Sequence, residues 1–338
     1  MTTKFFTLIA AASITMLILS SSGSARSFVL LSNPGFVQAS QAEMQALRAI
    51  SAAPSADAKL TAAEEFLKKY PKTNARAQVL ETVANAIAQV KDPTQAVTLA
   101  EKAQPLFATP EEQNTLKPVL VNVYANANRP DDAFRLAGEI LAKDPEDVQI
   151  LVQMTLTGTE QVKQKNLKYA PQTLQYGLKA IELIEANKKP AKMSEELWAN
   201  HKAALPQLYQ QTAILNLVAG NTKEAKDRLV KTTTLSPRDP YPFALLGFVL
   251  NDEYAKFVPL FQAMPAGAPK DAEKTRLEGL LDNIIDVYAH AAALATGRPE
   301  YQALLQQVVP DLTSYYKYRH NQSTEGLQQL MDKYKPQP

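Results

Sequence analysis

The chain has no cysteine among its 338 residues. Disulfides, thiol nucleophiles and cysteine-ligated zinc or iron–sulfur centres are thereby excluded, and so is a lipid-modified cysteine. Glycine is scarce as well. Its 11 residues are about 3 % of the chain, less than half of ordinary usage. Folds that lean on glycine turns, such as phosphate-binding loops, strand-rich barrels and propellers, are disfavoured. An excess of one charge sign is missing too. Lys+Arg 36 against Asp+Glu 34 gives +2, which is not the footprint of a dedicated nucleic-acid binder. What is abundant is alanine, with 50 residues, a composition that favours close helix packing and high helix propensity. An all-helical protein of one elongated array or two ordinary domains follows.

Residues 1–25 read as a secretory signal peptide. Lys4 gives the positive start, Phe5 to Leu19 is apolar and uncharged, and Gly23 and Ala25 place small residues before a cut after Ala25. A second cut position follows Ala39. The apolar run is short for a membrane span of about 20 residues, and a retained amino-terminal anchor is the alternative. Residues 26–42 read as a flexible mature amino terminus. An exported chain without cysteine does not depend on oxidative folding.

An internal repeat follows. Val83–Gln89 aligns with Leu120–Asn126, and Ala96–Ala103 aligns with Ala133–Ile140, both at an offset of 37 residues. Between the members stand turns at Lys91-Asp92-Pro93 and Asn128-Arg129-Pro130. A third unit runs from Leu208 through the Gly220-Asn221 turn to Ala225–Leu229 and closes at Ser236-Pro237. Asp239-Pro240 opens a fourth, with Phe243, Leu246 and Gly247. The small alanines suit the crossing of two helices, and the larger apolar residues at helical spacing fill the groove between them. Asp, Asn or Thr beside the turns would cap the helices that follow.

These residues resemble the tetratricopeptide repeat family, whose unit is two antiparallel helices of about 34 residues. Tyr124 matches the tyrosine of the family's first helix. Ala96, Ala133 and Ala225 match the alanine of its second. Gly220-Asn221 matches the turn, and Pro145 and Pro237 match the closing proline. The match is good for 75–145 and 206–250, extends to 43–72 and 148–189, and ends near 255. The resemblance implies an all-α, right-handed α-solenoid of about five helical hairpins over 43–250, irregular at 158–194, with a degenerate helical carboxyl-terminal cap over 251–338.

Further expectations follow from local composition. Gly158 to Ala170 contains a polar stretch that lengthens a turn. The polar loop 187–194 around Pro190 is the candidate hinge. Residues 251–268, with Pro259, Pro265, Gly267 and Pro269, read as a broken helix and loop. Helices are predicted over 271–295, 299–319 and 324–335.

Residues able to carry chemistry are few. His201, His290 and His320 have no metal-ligand spacing and read as surface or satisfied helical histidines. Glu278, Asp282 and Asp286 fall on one helix face, where paired carboxylates could bind a cation or exchange protons, but Lys274 and Arg276 beside them point to a solvated charged face. Catalytic glycine–serine elbows, phosphate loops and calcium loops are missing from the sequence. It gives no support for an enzyme, a cofactor or a resident metal. Tyr315, Tyr316, Tyr318 and Arg319 form the densest aromatic and basic cluster, able to stack on bases or sugars or to meet headgroups, or simply to pack on the array. Asn321-Gln322-Ser323 fits a glycosylation acceptor.

In the tetratricopeptide family the first helix of each hairpin lines a concave groove. On that resemblance Asn85 and Asn122 occupy matching groove positions, as do Gln89 and Asn126. Side-chain amides offer both donors and acceptors, as an extended peptide backbone requires. Glu81 and Pro118 stand where a charged clamp would need lysines, so no such clamp is expected. Ile214, Leu217 and Val218 are apolar groove positions, either covered by carboxyl-terminal helices or open as a patch. The expected function is a non-catalytic protein-interaction or scaffolding module of the periplasm or cell envelope. A carrier of a small ligand or glycan is the alternative.

Overall fold

The computed structural model describes residues 41–335. The expected signal segment, both cleavage positions and residues 26–40 lie outside the described residues. Within them the chain is all-α: 15 α-helices and two short 3-10 turns, with no strand. It divides into two compact units between Thr157 and Gly158.

The first unit contains α1 (Gln41–Ala52), α2 (Ala56–Lys69), α3 (Arg76–Ala88), α4 (Pro93–Ala103), α5 (Pro110–Asn126) and α6 (Pro130–Leu141), followed by the start of α7 (Val148–Lys163). Consecutive helices pack as hairpins, and α3 also packs on α5 across the intervening helix. This is the stacking the 37-residue offset predicts. Ala96 and Ala133 are buried where their helices meet a neighbour. The turns are built as expected at Asp92, which accepts from the Gln95 backbone at 2.7 Å. At Thr109 the hydroxyl accepts from Glu112 N while the Glu112 carboxylate accepts from Thr109 N, a reciprocal cap.

The second unit takes the end of α7, then α8 (Ala170–Glu185), α9 (Glu195–Ala203), α10 (Leu205–Val218), α11 (Thr222–Leu235), α12 (Pro240–Ala263), α13 (Ala268–Ala295), α14 (Gln302–Arg319) and α15 (Leu327–Asp332). Ala225 is fully buried, like its counterparts in the first unit. Ile214 and Leu217 join one core with Phe243, Leu281, Ile285 and Leu312, against which Val218 packs. The apolar positions of α10 are therefore covered.

Asn128 and Gly220 end their helices in the left-handed region, at φ 53° and 83°. The next amide in each reaches back five residues, Arg129 N to Tyr124 O at 2.9 Å and Asn221 N to Asn216 O at 2.8 Å. The same closure serves the second repeat turn and the third, where Asn128 and Gly220 supply the left-handed backbone conformation.

Three expectations change. Helix α7 runs on to Lys163, so the turn is confined to 164–169. Gly158 sits inside that helix because Thr173 presses against it: a β-carbon there would stand 1.8 Å from Thr173 Oγ1. The loop at 187–194 lies inside the second unit and is tied down. Trp198 Nε1 donates to Asn187 Oδ1 at 3.0 Å, and Lys189 pairs with Glu195 at 2.7 Å. The two units divide inside α7 instead. Residues 251–263 form no broken segment. They continue α12 through Pro259, and the loop is only Met264–Gly267.

Candidate interaction face

The groove positions fall on α3 and α5, the first helices of two hairpins. Their inward faces are filled by Val83, Ala84 and Ile87 on α3, and by Leu120, Val121, Val123 and Tyr124 on α5. This burial turns Asn85 and Gln89 out to solvent, leaves Asn122 half-buried and exposes Asn126. Asn126 Nδ2 donates to Asn122 Oδ1 at 3.2 Å. Gln153 Nε2 of α7 donates to the same oxygen at 3.3 Å. Asn122 thus gathers two amides, one from its own helix and one from the next first helix. Asn85 and Gln89, on α3, stand outside that bonded set.

Gln153 was not anticipated. It follows Asn122 by 31 residues rather than 37, so the repeat alignment misses it. Its signal is a lone polar side chain within Ile150-Leu151-Val152-Gln153-Met154, whose four apolar members are buried.

The ends of this face are held by charge. Arg76 Nε donates to Glu112 Oε1 at 2.7 Å, and Arg76 Nη2 donates to Leu106 O at 2.8 Å. Burial alone would raise the Glu112 pKa, but the Arg76 bond and the Thr109 amide outweigh it and hold the carboxyl below its ordinary value. At the other end the Arg129 guanidinium lies 4.6 Å over the Tyr124 ring. It also bridges to Glu101 and Asp132, both at 2.7 Å. Tyr124 accepts from Gln104 Nε2 at 3.1 Å. Helices α4, α5 and α6 are clamped around that tyrosine.

The aromatic and basic cluster resolves into packing. Tyr316 is 6 % exposed, donates to Glu325 O at 2.8 Å and stacks on His320 at 3.8 Å. Tyr315 is half-buried and donates to Asn251 Oδ1 at 2.5 Å. Arg319 makes a two-point contact with Asp282, at 2.7 and 2.9 Å, and lies 3.6 Å from Glu278. Tyr318 alone is open, at 63 %. The carboxylate row is neither a cation site nor a plain solvated face. Glu278 and Asp282 receive Arg319 of α14, and Asp286 accepts from the Tyr334 hydroxyl just past α15. The row is a seam that ties α14 and the chain end to α13.

His201 departs from expectation. It is 1 % exposed, packs edge-on against Trp198 at 6.5 Å, and neither ring nitrogen has a hydrogen-bond partner among the described residues. Burial holds its pKa below the ordinary value. His290 stacks between Phe243 and Tyr334, at 3.7 and 4.2 Å. Asn321, in the glycosylation motif, is exposed in a left-handed turn at φ 50°. No group of three metal-binding side chains occurs among the described residues. An open hollow of about 550 Å3 lies between α1 and α3, lined by Met44, Leu47, Arg48, Ser51, Ala52 and Gln78.

No family model matches the chain, and no curated protein matches it. Among solved structures it is similar to one described as "Functional Characterization of Pseudomonas Aeruginosa pilF", at 14 % identity. That match covers 79 % of this chain and 100 % of the other, with a TM-score of 0.33. The hairpins described above, and not this likeness, carry the fold assignment.

Proposed function

We propose that this chain is a non-catalytic protein-interaction module that binds an extended peptide segment of a partner on the first-helix face of its amino-terminal unit. The observation that carries the reading is the amide set centred on Asn122. Its Oδ1 is engaged by Asn126 and Gln153, which leaves the Asn122 amide donors and the Asn126 and Gln153 carbonyl oxygens turned to other use. Donors and acceptors on successive helices fit the alternating N–H and C=O groups of an extended backbone. Asn85 and Gln89 would extend the set along α3. Such a fold hosts many partners, so the assignment rests on the face and not on the hairpins alone.

The compartment belongs to the same proposal. Lys4, the apolar run that follows and Ala25 support export to the periplasm or envelope. Amino-terminal sequencing tests it: a start at Arg26 or Ser40 supports cleavage, and an intact Met1 in a membrane fraction defeats it. For the interaction, crosslinking recovery from envelope extract is compared between the parent and the Asn85→Ala, Asn122→Ala double variant. Unchanged recovery of every partner rejects the face.

One observation favours a second reading, a carrier of a small ligand or glycan. The hollow between α1 and α3 has the volume of a small-molecule site. It is open, and only Arg48, Ser51 and Gln78 bring polar side chains to it. Saturable binding of a soluble sugar or metabolite that Arg48→Ala abolishes would favour the carrier.

A further inference from the structure

Helix α9 is an insert. It lies between α8 and α10 in the chain, yet α8 and α10 pack directly on each other. Of its nine residues only Trp198 and His201 are buried; Leu197 is half-buried and the other six are exposed. Trp198 and His201 stand three positions apart on one helical face, with their rings 6.5 Å apart and edge-on. Two side chains therefore carry most of the burial that keeps α9 on the unit.

The polar ties of α9 lie at its amino-terminal end. Ser194 Oγ accepts from Leu197 N at 3.2 Å. Lys189 donates to Met193 O at 3.0 Å and pairs with Glu195 at 2.7 Å. Glu195 is exposed, and an ion pair in water holds little. Trp198 Nε1 donates to Asn187 Oδ1 at 3.0 Å. Asn187 follows the end of α8 in the left-handed region, at φ 50°. That bond needs the indole in its buried place.

The two buried side chains differ in kind. The indole nitrogen is satisfied. Both ring nitrogens of His201 are buried without a hydrogen-bond partner among the described residues. Buried polar atoms left unpaired cost free energy, and an imidazole that reaches water regains both its bonds and its proton. No counter-charge keeps it inside. On α9 itself Glu195, Glu196 and Lys202 are exposed, as are Lys188 and Lys192 of the preceding loop, and Lys189 is engaged by Glu195. On α10 the ionisable side chain is Tyr209, which donates to Glu185 of α8 at 2.7 Å. None of these acts on the imidazole, because burial is the one cause of its lowered pKa. A proton on the buried ring would be a charge without a partner.

We propose that α9 is a pH-sensitive latch: protonation draws His201 out to water, Trp198 leaves Asn187, and residues 188–204 open while α8 and α10 stay packed on each other. An element that buries so few side chains opens at a lower free energy than the helices of the core. In the open segment the imidazole titrates at its ordinary value of 6.5. Above that pH the closed form is independent of pH. Each unit below it multiplies the open population by about ten, until the buried ring itself takes a proton.

Hydrogen–deuterium exchange of the full chain tests this. Protection factors are read from about pH 8 to about pH 5 for α8, α9 and α10. The α9 amides are expected to be less protected than those of α8 and α10 at every pH. Their protection should be flat above pH 6.5 and fall by about tenfold per unit below it. In His201→Leu, α9 should keep the parent's protection at high pH and lose the pH dependence. The parent curve decides the matter even where the variant folds poorly. Protection of α9 that does not change below pH 6.5 overturns the proposal. So does exchange of α9 at the same protection as α8 and α10, which would make His201 a reporter of whole-unit unfolding. A pH dependence that survives in folded His201→Leu overturns it too, by assigning the opening to another group.

Discussion

Gly247 of α12 lies under the ring of Tyr288 of α13, so close that a β-carbon at 247 would stand 2.3 Å from Tyr288 Cε1. Tyr288 is fully buried, and the glycine is what lets its ring fit between the two longest helices. The contact explains a glycine inside a helix, where it otherwise costs about 1 kcal/mol against alanine.

Gly247→Ala should therefore destabilise the chain by about 1–3 kcal/mol, the usual cost of overpacking a closed core. Gly138, in α6, has nothing within 4 Å of the same position. Gly138→Ala should instead stabilise by about 0.5–1 kcal/mol. Thermal melts of the two variants against the parent read both signs. Equal melting of Gly247→Ala and the parent would remove the close contact from the account.

His201 gives a pH dependence. Its folded-state pKa is depressed by burial below 6.5, so the unfolded chain takes up the proton first as pH falls. The stability this group contributes is fully present above 6.5 and is lost as pH falls through the folded value. His201→Leu removes two unpartnered polar atoms from the interior. It should melt within about 1 kcal/mol of the parent at high pH, since volume-conserving apolar swaps are tolerated. Below pH 6.5 it should overtake the parent. Parallel pH–stability curves for the two proteins would contradict this.

Glu112 acts in the same sense at lower pH. Its folded carboxyl pKa lies below 4.5, so its contribution is present above 4.5 and lost as pH falls through the depressed value. Glu112→Gln should flatten the acid limb of the stability curve. Arg76→Ala leaves a carboxylate on a residue 8 % exposed without its cation and should cost about 1–3 kcal/mol at neutral pH. An acid limb unchanged by Glu112→Gln would show that the Arg76 contact does not hold the carboxylate.

The fold was legible where one short-range rule governs each residue. Ala96, Ala133 and Ala225 stand in a crossing that admits only small side chains, and all three are buried. Asp92 and Thr109 cap the helices that follow them. The misreadings share a cause. Pro259, Pro265 and Gly267 suggested a broken segment, yet Pro259 is carried inside α12 with its ring on an exposed side. Gly158 suggested a turn, but its role is set by Thr173 on another helix. Tyr315, Tyr316 and Arg319 left binding and packing both open, and the packing partners of Tyr315 and Arg319, Asn251 and Asp282, stand 64 and 37 residues away. Partners so far away in sequence leave no local signal. Gln153 was missed for the complementary reason, since its place beside Asn122 is set by stacking and not by a fixed offset.

The central claim is that the Asn122-centred face reads an extended peptide backbone. The direct measurement compares an array of extended peptides against the parent chain and against Asn85→Ala, Asn122→Ala, Asn126→Ala combined, after their melting temperatures are shown to agree. Three lost amide side chains at about 0.5–1.5 kcal/mol each predict that retained peptides weaken by at least about tenfold. Peptides that bind the parent and the triple variant equally would contradict the account.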